Sequence, residues 1–581
     1  MKPRTFVALA AALLLVAVGS ASAVQSGSPL EFRITFDAGL RADAATGRVF
    51  VIVSAPGDQD PRFNVEPAGG VPAWGRDVTA VAPGTSMVVD ASSEVYGYPF
   101  ASIDQLPEGD YTVQAFLNVY TKFTRSDGSV VWLHMPCGDG GYFFDSPGNL
   151  YSTPVEMHLS PTGGTVELAL DTEIDPSEPV PDGGTCQQGN PSDSRHVKHM
   201  KIQSDLLTEF WGTPIFIGAD VLLPVGYDKA RNAGARYPVV YLQGHYPGGD
   251  PFWFSEGGGD RFSDWWLSKD APRVVVVQFR HETPFFDDSY AVNSANLGPY
   301  GDAIVTELIP ALEDSYRLVP KPWARTLTGG STGGWEALAQ QIFYPSFYGG
   351  SWGLCPDSLS FGWHQLVNIY KYANAYHRSY DWEQAPRPSA RTVPGDTLWT
   401  MGQENHFELA MGTLGRSQLG QWDVWQAVFG PQGPDGYPAP IWDKATGEID
   451  HEVAEQWKPM DLSLYVADNW RQIGSKLAGK LRIYVGDDDT FFLNNGVQAM
   501  ESVLEGLKDP KAKAVVEYGA DAPHCWGPWG AELVQMMADA MASNAPAEAD
   551  LSWYRRDAVT AEAPVARDGS LDPYGRRGLG L

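Results

Sequence analysis

A serine sits inside a run of glycines, Gly329-Gly330-Ser331-Thr332-Gly333, within RTLTGGSTGGWEAL. The spacing is G-x-S-x-G. It suits a sharp strand-to-helix turn that lifts a hydroxyl above the end of a sheet, where small neighbours let backbones pass closely. The flanks fit, with strand-like RTLT before and helix-like GWEALAQQ after. A serine hydroxyl is a poor nucleophile at neutral pH, so it needs a base, and the base needs an acid to orient it. On such a turn the partners follow in the order acid, then histidine. Of the 11 histidines only His524 lies beyond the cluster Asp487-Asp488-Asp489, on the loop ADAPHCWGPW after AVVEYG. Three adjacent carboxylates repel one another, so one should face the imidazole while the others turn to solvent or to backbone N–H groups. Asp489 is the first choice and Asp488 the second; Asp357, in LCPDS, is an outside candidate. The acidic run lacks the Gly and Glu spacing of an EF-hand loop and is not read as a metal site.

Acyl transfer also needs donors for the developing oxyanion, worth about 3–4 kcal/mol each. The backbone N–H of Thr332 should supply one. The Gly-rich loop after VVYLQG should supply the other, from His245 first or Tyr246 next, with the His245 imidazole read as a pocket wall.

These residues need a scaffold that brings strand ends together. From about Arg195, strand-like and helix-like stretches alternate: YPVVYLQG, RVVVVQF, GDAIVTELIPALEDSYR, ARTLTGGS, GWEALAQQIFY, GGSWGL, KLRIYVGD and NGVQAMESVLEGL. Alternation of this kind predicts an α/β domain over 198–543 with a doubly wound parallel sheet. Between about 361 and 476 the rhythm stops and Trp363, Trp382, Trp399, Trp422, Trp425, Trp442, Trp457 and Trp470 crowd the chain. That segment reads as a cap inserted over one sheet edge, with most of its tryptophans in its core. Residues 24–174 hold only β-type runs such as RVFVIVS and YTVQAFLNVY between turn signals, and predict an all-β, Ig-like sandwich. Residues 175–197, rich in Pro, Gly, Ser and Asp, read as a linker or long edge loop, and 544–581 as a poorly ordered tail.

The first 23 residues carry Lys2 and Arg4, an apolar run from Phe6 to Val18, and Ala21-Ser22-Ala23. The run falls within the about 7–15 residues of a signal-peptide core and short of the about 18 needed to cross a bilayer. A cleaved signal for secretion or the periplasm is therefore expected. Export allows disulfides. Sequence order and the domain division favour Cys137–Cys186 and Cys355–Cys525, and the second would fix the loop carrying His524. The net charge of −30 argues against nucleic acid and anionic membrane surfaces as partners.

The stretches ADVLLPVGYD, GPYGDAIVTELIPALEDSYR, TLTGGSTGGWEALAQQIFYPSFYGG and IYVGDDDTFFLNNG resemble the putative-esterase branch of the α/β-hydrolases. That group includes S-formylglutathione hydrolase, enterochelin esterase, feruloyl and acetylxylan esterases, and mycolyltransferases. The resemblance spans roughly Lys198 to Ala542 outside the insertion. It implies an α/β-hydrolase fold, a triad of Ser331, His524 and Asp489, and no cofactor. Two features depart from the pattern: Gln243-Gly244 stand where the group has His-Gly, and the insertion is longer than in compact members. The expected activity is hydrolysis of carboxylic esters through an acyl-enzyme. The tryptophans incline it to carbohydrate-linked or aromatic esters, whose rings they could stack on. A peptidase of the same fold, or a non-catalytic surface binder on a hydrolase scaffold, is the alternative.

Overall fold

The computed structural model describes residues 28–555 apart from 135–136, 138–141, 245–248, 286–288, 380–381 and 418. The expected signal segment 1–23 and the end of the expected tail, 556–581, lie outside the described residues.

Near the N-terminus a pair of sheets face each other. One pairs Ser28–Phe36 with Gly163–Leu170 in parallel and with Met87–Val89 antiparallel. The other is built round the antiparallel pair Ala45–Ser54 and Gly109–Val119. Phe32, Ile34, Val49, Val51, Ala115 and Leu117 pack between them. RVFVIVS shows no polar alternation because its outer face is covered too. There Phe50, Ile52 and Phe116 meet Phe407, Ala410 and Met411 from much later in the chain. A strand covered on both faces reads as a continuous apolar run. Arg48, fully buried, crosses the same contact: its Nη2 donates to the Ala410 carbonyl at 2.9 Å, and its Nη1 pairs with Asp77 at 2.9 Å.

Residues 175–197 are held to the structure around them. Arg280 donates to both Glu178 carboxylate oxygens at 2.9 Å and to Asn190 at 2.6 Å, and Cys186 is bonded to Cys137.

The third large sheet has eight strands: β1 (Val197–Ser204), β2 (Ile215–Leu222), β3 (Val239–Gln243), β4 (Val275–Arg280), β5 (Arg325–Gly330), β6 (Gly350–Leu354), β7 (Leu481–Gly486) and β8 (Val515–Gly519). Their spatial order is 1-2-4-3-5-6-7-8. The strands from β3 to β8 are parallel, but β2 runs antiparallel to both β1 and β4, so the sheet is mixed rather than wholly parallel. The physical reason is the short connection after β1. The helix Asp205–Trp211 and the Gly212 turn, at φ 66°, send the chain back beside β1, without the longer crossover a parallel neighbour needs. Every residue of β4 is buried, as expected for a strand with both faces covered.

The helices that matter for the site are α1 (Thr332–Phe343), α2 (Met401–Met411), α3 (Gln421–Phe429), α4 (Leu462–Leu477), α5 (Asn494–Gly506) and α6 (Ala531–Asn544). α4 corrects the expected end of the insertion. It buries Leu462, Val466, Trp470 and Leu477 at helical spacing and packs against α1 and α5, so it is the crossover helix leading to β7. The irregular segment therefore ends near Asp461, not residue 476. Trp422, Trp425, Trp442, Trp457 and Trp470 are buried, whereas Trp363 and Trp382 are exposed. The tail expectation also needs correction at its start. Trp553 is buried against the α6 side of the sheet, and its carbonyl accepts the Arg273 N–H at 2.7 Å, so the chain stays packed to about residue 555.

Candidate functional site

Ser331 stands between β5 and α1 at φ 58° and ψ −123°. A residue with a side chain holds that conformation only where its surroundings enforce it. Here the Ser331 N–H donates to the Leu354 carbonyl at 2.9 Å, and the helix behind it presses on the end of β3. A Cβ on Gly333 would lie 2.2 Å from the Gln243 carbonyl oxygen, and one on Gly329 would lie 2.4 Å from the Gly333 carbonyl carbon. Glycine at both positions is what lets α1 start so close to β3.

The loop after β8 brings His524 to this turn. Its Nε2 lies 3.0 Å from Ser331 Oγ and its Nδ1 lies 2.7 Å from Asp489 Oδ2. Phe491 meets the imidazole edge-on, with ring centres 4.9 Å apart. Asp489 is fully buried after β7, and its Oδ1 accepts the N–H groups of Phe491 at 2.9 Å and Leu493 at 3.2 Å. The three adjacent carboxylates divide as charge repulsion requires. Asp489 faces the imidazole, Asp488 pairs with Arg391 at 3.2 Å, and Asp487 accepts the Ala522 N–H at 3.4 Å. Arg391 comes from the segment between β6 and β7 and also donates to the backbone carbonyls of Asp489, at 3.1 Å, and Asp487, at 3.2 Å. Nothing in its local sequence, RPSARTV, marks it for that role.

Asp357 does not meet the imidazole. Its Oδ2 accepts from Tyr290 Oη at 2.6 Å, Thr332 Oγ1 at 3.1 Å and Trp425 Nε1 at 3.1 Å. Thr332 is the first residue of α1, where a helix N-terminus favours negative charge. His245 and Tyr246 lie outside the described residues, but Gln243 and Gly244, which lead into them, abut Gly333. Cys355, just past β6, is bonded to Cys525 beside His524. These two sulfurs and the imidazole form a close trio, but the sulfurs are spent on each other and the imidazole on Ser331 and Asp489.

A pocket opens beside Ser331. Its walls include the aromatic rings of Trp399, Trp425 and Phe491, the carboxyl groups of Asp357 and Glu404, and the amides of Gln365 and Gln421. Glu404 lies on α2 and Gln421 on α3, so the segment between β6 and β7 supplies much of the wall. Glu404 accepts from Ser389 Oγ, yet burial outweighs that bond and pushes its carboxyl above the usual range. Sequence reasoning named neither Glu404, Gln365 nor Gln421.

The profile of the family described as "Putative esterase" matches residues 216–540. The chain belongs to that family. It is a carboxylic ester hydrolase with the α/β-hydrolase sheet described above. Solved structures similar to it include a ferulic acid esterase, at 14% identity over 60% of this chain and 97% of that one, with a TM-score of 0.34. An S-formylglutathione hydrolase from Agrobacterium tumefaciens matches at 13% identity over 61% and 95%, with a TM-score of 0.29. A CE1 ferulic acid esterase from Anaeromyces mucronatus, in complex with ferulic acid, matches at 14% over 62% and 94%, with a TM-score of 0.26.

Behind the pocket wall this esterase buries a charged knot. Lys444 contacts Glu408 and, at 2.6 Å, Asp423, while Glu408 Oε1 accepts the Trp422 N–H at 2.9 Å. Burial, reinforced by the Asp423 and Glu404 carboxyls, pushes Glu408 up to about 8 against the pull of Lys444. The knot ties α2 to α3. Among the described residues no helix is long and apolar enough to cross a membrane.

Proposed function

We propose that this chain is an exported serine esterase working through an acyl-enzyme. Ser331 Oγ attacks the ester carbonyl carbon while its proton passes to His524 Nε2. Asp489 holds the imidazole through Nδ1 and balances the charge that forms there. The oxyanion is received by the Thr332 N–H and, in the same reading, by that of His245. The alcohol departs with the proton from His524. Water, deprotonated by the same histidine, then attacks the acyl carbon and releases the acid and Ser331.

The observation that carries this reading is the continuous relay of Ser331 Oγ, His524 and Asp489, with spacings of 3.0 and 2.7 Å. Export is supported by the signal-like residues 1–23 and by the two disulfides. We read the inserted segment as a cap that shapes the pocket, and the N-terminal sheets as an Ig-like accessory unit that braces it. Rings of Trp399, Trp425 and Phe491 on the pocket favour aromatic or carbohydrate-linked esters.

A fluorophosphonate probe tests the assignment. It should label the wild type covalently and leave Ser331→Ala unlabelled. An unlabelled wild type, or equal labelling of both, would sink the hydrolase reading.

A further inference from the structure

We propose that a second cavity, at the β1–β2 edge of the eight-stranded sheet, binds a small organic ammonium ion that carries further hydrogen-bond donors. It stands apart from the pocket beside Ser331. Strands β4 and β3 lie between β2 and β5, and among the described residues none lines both.

The cavity lies over one row of the sheet. Residues paired across antiparallel strands project to the same face. Val197 pairs with Leu222 and Leu222 with Val276, and all three are buried in the apolar layer that α6 covers. Two positions along, the same face carries His199 paired with Asp220, and Asp220 paired with Gln278. Over this polar row opens a cavity of about 300 Å³, whose walls include His199, Asp220, Asp250, Glu178 and Arg280. Ligand pockets run from about 300 to 1,000 Å³.

Two of these charged groups are spent on each other: Arg280 Nη2 donates to both Glu178 oxygens at 2.9 Å. The other three are not. The His199 side chain is only 7% exposed. Its Nδ1 donates to Asp220 Oδ1 at 2.7 Å, and its Nε2 makes no hydrogen bond among the described residues. The Asp220 side chain is 6% exposed, and its Oδ2 makes none either. Asp250, at the exposed rim, bonds to no neighbour through its side chain. Partial desolvation raises its carboxyl above the usual range against the pull of His199, and Asp220 and Glu256 add to the rise.

With the Nδ1 proton given to Asp220, His199 Nε2 is an acceptor, so the uncommitted atoms are all acceptors and call for a ligand rich in donors. Carboxylates left unpaired away from water are costly, and a cation offsets that cost. The net charge of −30 draws cations as well. An anion would find no cation to meet, because Arg280 is held by Glu178 and Asn190. A bare metal ion is too small for this set: among the described residues only Cys355, His524 and Cys525 bring three ligating groups close enough for one ion. An ammonium group flanked by hydroxyls reaches acceptors set further apart.

Isothermal titration calorimetry on the full chain tests this with one ring in three charge states: glucosamine, glucose and glucuronate. Glucosamine should bind at least about 10-fold more tightly than either of the others. His199→Leu and Asp250→Asn should each weaken it about 5-fold or more. Asp250→Asn serves if the leucine variant does not fold, because Asp250 supports no neighbour. Both variants should hydrolyse p-nitrophenyl acetate within about 2-fold of the wild type, since neither residue touches the Ser331 site. No binding of glucosamine at about 10 mM, equal binding of glucose, or an unchanged glucosamine affinity in either folded variant overturns the proposal. So does calcium or zinc that binds more tightly than glucosamine and loses affinity in the same variants, which would make the cavity a metal site. Calorimetry reads these outcomes whether or not Ser331 is the nucleophile.

Discussion

The backbone N–H of Ser331 points at the sulfur of Cys355 across 3.2 Å, and that sulfur is bonded to Cys525, the neighbour of His524. The turn that carries Ser331 and the loop that carries His524 therefore share a covalent strut. The bond spans a sequence separation of 170 residues. A cross-link closing a long loop typically stabilises by about 2–4 kcal/mol, largely by restricting the unfolded chain. Reduction, or the Cys355→Ser/Cys525→Ser pair, should lower Tm and reduce kcat more than it raises KM, because the imidazole loses its fixed position. Melting curves with and without reductant, alongside steady-state kinetics, check this; unchanged Tm and kcat would rule the strut out.

The division of labour among Asp487, Asp488 and Asp489 can be read one residue at a time. Asp489→Asn keeps the shape but removes the charge and the acceptor facing His524 Nδ1, so the imidazole loses its orientation. The expected fall in kcat is on the order of 10³–10⁴. Asp488→Asn breaks only a partly exposed ion pair with Arg391, of a kind worth about 1 kcal/mol or less, and should change kcat by no more than about 5-fold. Comparable losses in the two variants would contradict the assignment of Asp489.

Ser331, the acidic run and His524 are legible because each sits in a local context that announces it: a glycine-flanked turn, the residues just past a strand, and a loop before the last helix. Chain order then sorts the candidates. Glu404, Gln365 and Gln421 carry no such local mark. They reach the pocket because the irregular segment folds back over the sheet, and non-local packing of that kind leaves no periodicity to follow. Arg391 is hidden for the same reason, since its partners lie about a hundred residues downstream. One of the corrected expectations does have a visible signal. Leu462, Val466, Trp470 and Leu477 recur at helical spacing and mark α4, although Trp470 also reads as one of the crowded tryptophans. The mixed edge of the sheet is harder to see, because its outer strand β1 lies in HVKHMKIQS, which is largely polar, as an edge strand can be.

The buried knot of Glu408, Asp423 and Lys444 predicts a pH dependence of stability. Glu408 ordinarily titrates at 4.5 and is pushed up to about 8 in the folded protein. In the unfolded chain it gives up its proton near the ordinary value, while the folded chain retains it. The contribution of this group is therefore full below about 4.5 and is lost as pH rises towards about 8. Lys444 stays charged throughout this window, its own titration being raised from 10.5. Tm should fall between pH 5 and 8, and Glu408→Gln, which mimics the protonated form, should flatten that fall. A variant with the same slope as the wild type would show that another group governs it.

Arg48 links the N-terminal sheets to the pocket through α2. Its guanidinium is fully buried and donates to the carbonyls of Ala410, at 2.9 Å, and Gly75, at 3.0 Å, while pairing with Asp77. Asp77 keeps Thr413 and Arg416 as partners if the arginine is lost, so no carboxylate is stranded. The cost of Arg48→Met is then two desolvated carbonyls, about 1–3 kcal/mol each before relaxation. The loss should appear as a lower Tm. It should also appear as a raised KM with a smaller change in kcat, because α2 carries Glu404 on the pocket wall, whereas Ser331, His524 and Asp489 stand on loops of the third sheet. An Arg48→Met enzyme that melts early but binds substrate as the wild type does would show that the β-sheets stabilise α2 without shaping the pocket.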